Sequence, residues 1–121
     1  MSRKILAVDD DSDIVDIIKI VLEGEGFEVS TLTSGRNVLN VISSLRPDLV
    51  LLDVMLGGID GRDICKAIKA HNLFKNIPVV MISASHNLQS LLKLPGSPND
   101  FLSKPFDIDS LVKKVKAQFA A

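Results

Sequence analysis

The amino-acid sequence predicts an α/β fold, a three-layer, doubly wound arrangement of five strand–helix units on one parallel sheet. Three observations carry that reading. Short, uninterrupted apolar runs at residues 5–8, 49–52 and 79–82 have the composition of strands buried on both faces. The segments between strands carry apolar residues at helical spacing. Strand and helix then alternate along the whole chain, which calls for right-handed crossovers and helices on both sides of the sheet.

Ile5-Leu6-Ala7-Val8 is the first strand and ends in Asp9-Asp10-Asp11. Ile14, Ile17, Ile18, Val21 and Leu22 form the first helical stripe, which Asp11 or Ser12 can cap and Gly24 and Gly26 stop. Residues 28–32 alternate polar and apolar, as an edge strand with one wet face does. Val38, Val41, Ile42 and Leu45 repeat the helical stripe, and Pro47 closes it. Leu49-Val50-Leu51-Leu52-Asp53 is the central strand, apolar until it runs into a carboxylate. Asp60 can cap a third helix through Ile64, Ala67 and Ile68 that ends near His71-Asn72. Val79-Val80-Met81-Ile82 is the fourth strand, with Pro78 placed where no ladder donor is needed. Leu88, Leu91 and Leu92 suggest a fourth helix, cut short by Pro95 and Pro98. Residues 101–103 make a brief last strand ending at Lys104-Pro105. Ile108, Leu111, Val112, Val115 and Phe119 form the clearest stripe of all, behind an Asp107 cap. No linker, repeat or low-complexity tract intervenes, so residues 1–121 read as one domain.

Composition narrows the function. The chain is 46% hydrophobic and 24% charged with a net charge of −1, so bulk charge gives no case for nucleic acid or anionic lipid as a partner. No apolar run reaches membrane-spanning length, and the first residues lead straight into a strand, so neither a membrane anchor nor a secretory leader is expected. The single Cys65 has no disulfide partner within the chain and fits a reducing, cytoplasmic compartment as a small core residue.

The carboxyl edge of such a sheet is where ligands bind. There the sequence delivers Asp9 and Asp10 from the first strand, Asp53 from the third, Ser83 from the fourth and Lys104 from the fifth. Each has an ordinary reading as a cap, a turn residue or a solvated charge. Their coincidence at one edge is the informative observation. Like charges about 4 Å apart repel by about 4 kcal/mol at an effective dielectric near 20, so an acid cluster needs protons or cations. Lys104 offers one positive charge, and an all-oxygen site suits Mg²⁺ better than Zn²⁺. His71 and His86 lie outside the group. A metal held by acids, an outward carboxylate, a hydroxyl and an ammonium suit phosphoryl transfer onto Asp53.

Over essentially its whole length the chain resembles the receiver domain of two-component response regulators. The resemblance is carried by Ile5-Leu6-Ala7-Val8-Asp9-Asp10-Asp11, by the loop Asp53-Val54-Met55-Leu56-Gly57-Gly58-Ile59-Asp60-Gly61, by Ile82-Ser83-Ala84, and by residues 99–106 around Lys104-Pro105. It implies a flavodoxin-like sheet in the order 2-1-3-4-5 and a stand-alone signalling switch rather than an enzyme proper. By the same resemblance Asp53 is the phosphoacceptor, and Asp10, Asp53 and the Met55 main-chain carbonyl coordinate Mg²⁺, with Asp9 acting through water. Ser83 and Lys104 would hold phosphoryl oxygens, the Lys104–Pro105 bond would be cis, and Phe101 would move with Ser83 as the switch. The implied partners are a histidine kinase or histidine phosphotransfer protein and a downstream protein docked on the fourth helix, fifth strand and fifth helix.

The chain departs from the family in three respects. Gly57 stands where a proline is usual, so a looser loop after Asp53 is expected. Pro95 and Pro98 shorten the fourth-helix region. Met55 and Ser85 replace residues that orient hydrolytic water, which implies slow loss of the phosphoryl group. An aspartyl-nucleophile phosphatase of the haloacid dehalogenase type would need a second acid at position 55 and room for a cap insertion. A non-phosphorylated interaction module would have no use for Asp9, Asp10, Asp53, Ser83 and Lys104 together. Flavin binding would want a hydroxyl- and glycine-rich loop where three acids stand.

Overall fold

The computed structural model of the chain describes residues 2–84 and 96–120. Its elements run β1 (Lys4–Val8), α1 (Ser12–Gly24), β2 (Glu28–Leu32), α2 (Val38–Leu45), β3 (Leu49–Asp53), β4 (Met55–Leu56), β5 (Ile59–Asp60), α3 (Gly61–Ala70), β6 (Val79–Ser83), β7 (Asp100–Ser103) and α4 (Ile108–Gln118). Five parallel strands form the main sheet in the order β2-β1-β3-β6-β7. Counted without the small β4–β5 pair, this is the 2-1-3-4-5 order that the resemblance implied.

The apolar runs explain why the sheet has two hidden faces. Every residue of β3 and β6 is buried. Side chains alternate across a strand, so Ile5, Ala7, Leu49, Leu51, Val80 and Ile82 pack with α1 and α4. Leu6, Val8, Val50, Leu52, Val79 and Met81 turn the other way, toward α2 and α3. Edge strand β2 buries only Val29. Asp11, Asp60 and Asp107 cap α1, α3 and α4 by accepting backbone N–H bonds from Asp13, Arg62 and Ser110. Among the described residues, no helix is long and apolar enough to cross a membrane.

Three expectations change. In α1 the buried residues are Val15, Ile18 and Leu22, while Ile17 is 50% exposed. That helix carries more apolar residues than one face can bury, so periodicity alone left its centre ambiguous by one position. Ile108 likewise points outward, and Leu111 and Val115 carry the α4 packing. The segment after Asp53, read as a loop, forms a small two-stranded hairpin. Gly57 and Gly58 both have positive φ and close β4 on β5. The fourth-helix segment with Leu88, Leu91, Leu92 and Pro95 lies outside the described residues, as do Ser85 and His86.

The half-buried Lys69 braces the edge opposite the site. Lys69 donates to the carbonyl of Ile77 at 2.8 Å and to Asn99 Oδ1 at 2.6 Å, and that same Oδ1 accepts the Val79 N–H at 3.0 Å. Burial pushes the Lys69 pKa down.

Leu51 has no exposed surface at the sheet centre, so Leu51→Ala should cost about 2–5 kcal/mol. Ile17→Ser should change stability by less than about 0.5 kcal/mol. Urea denaturation followed by circular dichroism checks both, since the chain has no Trp or Tyr to report by fluorescence.

Candidate functional site

Strand direction builds the site. Because β1, β3, β6 and β7 are parallel, Asp9, Asp53, Ser83 and Lys104 all emerge at one sheet edge. Register sets them side by side: Val8 pairs with Leu52, Asp53 with Ile82, and Ser83 with Ser103. Backbone bonds continue the sheet past its strands, with Asp9 N donating to the Leu32 carbonyl at 3.1 Å and Lys104 N to the Ser83 carbonyl at 2.8 Å.

The Lys104 ammonium joins the acids. Its Nζ lies 2.9 Å from Asp9 Oδ2 and 3.2 Å from Asp53 Oδ2. Both carboxylates are almost wholly buried, with side chains 1% and 6% exposed. Asp10 is exposed at the rim, and one oxygen from each of Asp9, Asp10 and Asp53 falls within 4.8 Å of the others. Asp9 Oδ1 also accepts the Asp11 N–H at 2.9 Å, and Asp53 Oδ1 the Met55 N–H at 3.4 Å.

Electrostatics follow from this crowding. Burial, and then the charge of Asp9, raise the Asp53 pKa above its ordinary value of 3.8, more than the Lys104 contact lowers it. Burial alone would lower the Lys104 pKa, but its hydrogen bonds to Asp9 and Asp53 and their charges carry it upward. One ammonium therefore serves two buried acids while a third stands at the mouth. The donor set is all oxygen and carries net negative charge, which fits a hard divalent cation such as Mg²⁺.

The other expected residues are close by. Ser83 is buried at the end of β6. Met55 is 75% exposed in its side chain, and its backbone belongs to β4. The Lys104–Pro105 bond is cis. Phe101 is half-buried in β7, with the Lys114 ammonium 5.7 Å from its ring centroid. Lys114 also pairs with Asp100 at 3.1 Å. His71 is away from the acids, stacked on Phe74.

Gly61 closes the loop that follows Asp53, but sequence reasoning assigned it no role of its own. It begins α3 and donates its N–H to the Val54 carbonyl at 2.7 Å. A methyl group on Gly61 would collide with the Asp53 carbonyl oxygen and crowd Val54 Cα. The only signal in the sequence is a glycine at the first helical position, where side-chain bulk is otherwise well tolerated. Beside it Asp60 is gripped by Arg62 at 2.7 Å, and that hydrogen bond lowers the Asp60 pKa.

Comparison with known proteins agrees with this geometry. Residues 5–116 match the family described as the response regulator receiver domain. The DNA-binding response regulator MtrA of Mycobacterium leprae (strain TN) is 39% identical over 119 residues, which is 98% of this chain and 52% of that protein. MtrA of Mycobacterium tuberculosis (strain ATCC 25618 / H37Rv) is also 39% identical, with 51% of its length covered. The chain thus spans about half the length of the curated relatives it matches. A putative response regulator from Chloroflexus aurantiacus J-10-fl superimposes with a TM-score of 0.90 at 35% identity, covering 100% of both chains. The chemotaxis response regulator CheY4 of Vibrio cholerae gives a TM-score of 0.87 at 26% identity, over 98% of this chain and 99% of that one.

Two outcomes follow from the site. With metal chelated, a raised Asp53 pKa makes the ionised side chain a liability to the fold. The wild type should therefore lose stability relative to Asp53→Asn as pH rises from about the ordinary carboxylate value through the raised one, and the gap should close again in acid. Urea midpoints across that range measure it. Gly61→Ala should destabilise the protein by about 1–3 kcal/mol, because the clash is with backbone and leaves no rotamer to relieve it.

Proposed function

The chain belongs to the response regulator receiver domain family of two-component signalling, and we propose that Asp53 is its phosphoacceptor, working as a Mg²⁺-dependent switch. The observation that supports this most is the Lys104 ammonium held between Asp9 and Asp53 at a sheet edge. In this reading Asp53 attacks the phosphorus of a phosphohistidine on a kinase or phosphotransfer protein. The new Asp53 O–P bond forms as the P–N bond breaks, and the imidazole leaves with the electron pair. Asp10, Asp53 and the Met55 carbonyl would hold Mg²⁺, with Asp9 acting through water. The cation, when bound, neutralises phosphoryl oxygens. Lys104 gives up part of its contact with the acids to bind a phosphoryl oxygen, and Ser83 donates its hydroxyl to another.

The change of charge is the signal. Asp53 goes from one negative charge to roughly two and gains acceptor oxygens. Ser83 and Lys104 are drawn inward, and Phe101 follows by packing alone, having no hydroxyl. The output is a protein contact made by β7 and α4 together with the chain between β6 and β7. DNA binding by the MtrA proteins is a property of those proteins, of which this chain matches about half. We place the receiver in the cytoplasm, with residues 1–121 folding as one domain. Exposed Met55 provides no carboxylate or carboxamide to orient water, so dephosphorylation is slow. The haloacid dehalogenase-type phosphatase is not favoured, because its second acid would stand at that same position.

Intact-mass measurement after incubation with Mg²⁺ and a small acyl phosphate tests the assignment. One phosphoryl adduct should form on the wild type and none on Asp53→Asn, and the wild-type adduct should outlast minutes of dilution into chelator-free buffer. An adduct on Asp53→Asn would move the acceptor elsewhere.

A further inference from the structure

Met55 is the one proposed Mg²⁺ ligand that binds through its main chain, so only backbone conformation can aim it. That backbone is the first strand of the β4–β5 hairpin, whose two-residue turn has φ of 56° at Gly57 and 90° at Gly58. These are the angles of a type I′ turn, which holds its flanking strands in fixed register. Met55 pairs with Asp60 and Leu56 with Ile59. In an antiparallel ladder, hydrogen-bonded and non-bonded pairs alternate. The Gly61 N–H donates to the Val54 carbonyl at 2.7 Å, which fixes the phase. Met55 is therefore at a non-bonded pair, with its N–H and C=O both turned away from Asp60. The N–H accordingly reaches Asp53 Oδ1 at 3.4 Å.

We propose that the Gly57–Gly58 turn is a positioning device for the cation. It keeps the register that presents the Met55 carbonyl on the side of the carboxylates, and so sets Mg²⁺ affinity. This rests on the ligand assignment above. The hairpin is anchored elsewhere: a Cβ on Gly35 would meet Ile59, Ile64 and Leu56 at 3.1–3.2 Å, and Arg62 grips Asp60. Those anchors hold its flank and its far end, which leaves the turn to decide how β4 lies against β5. A one-residue slip that turned β4 over would point the Met55 carbonyl toward β5 instead. A Cβ on Gly57 or Gly58 would meet nothing within 4 Å. Substitution there adds backbone strain without a steric clash, which makes the turn a clean place to test.

Calorimetric titration of Mg²⁺ into the full chain compares wild type, the double variant Gly57→Ala/Gly58→Ala, Gly57→Ala and Gly57→Asn, each with its urea midpoint recorded in chelator. The double variant should bind Mg²⁺ about tenfold more weakly, since alanine resists positive φ at both positions. Asparagine tolerates that conformation, and Asn-Gly is a favoured type I′ pair, so Gly57→Asn should stay within about twofold of wild type. A double variant that binds like wild type overturns the proposal. If that variant does not fold, equal affinities of Gly57→Ala and Gly57→Asn overturn it instead. A wild type that takes up no Mg²⁺ sinks the ligand assignment itself, which separates the two failures.

Discussion

Like charge forced together at the end of a buried sheet is the constraint on which this molecule depends. Asp9 and Asp53 have almost no contact with water, and one ammonium lies between them. Left alone, two such carboxylates would repel or take up protons. Burial, and then the Asp9 charge, raise the Asp53 pKa more than the Lys104 contact lowers it. The site thus gathers three carboxylates around the Lys104 ammonium. In the proposed reading a divalent cation would offset the remaining negative charge, and an incoming phosphoryl group would meet both cation and ammonium. The sheet keeps this arrangement from relaxing, because Asp9 follows and Asp53 ends a strand that is itself buried on both faces.

The layout of the two cores serves the same end. With α1 and α4 on one face and α2 and α3 on the other, β1, β3 and β6 have no freedom to shift in register. Register is what brings Asp53 beside Ile82 and Ser83 beside Ser103. The chemistry at the edge is thus only as precise as packing well away from it.

The sequence made much of this visible, and its lapses have physical causes. Runs such as Leu49-Val50-Leu51-Leu52 can only be buried strands when turns bound them, and alternation with helices then settles their direction. The convergence of Asp9, Asp53, Ser83 and Lys104 follows from direction alone. Periodicity was weaker for α1, where surplus isoleucines blurred the buried face and Ile17 turned out to be exposed. The role of Gly61 was hidden because a missing side chain leaves no pattern: only coordinates show the Asp53 carbonyl where a methyl group would go. Gly57 was legible as a departure from the family, but its consequence was not. Glycine permits disorder and a tight left-handed turn equally well, and the choice belongs to its neighbour Gly58 and to the seat that Gly35 offers Leu56 and Ile59.

Lys114 has a consequence for how the layers communicate. Its helix packs on one face of the sheet, while the Phe101 ring lies with the cluster on the other. The side chain reaches round β7 to meet both Asp100 and that ring. At the rim of the sheet this one side chain thus bridges the layer that holds its helix and the layer that holds the aromatic.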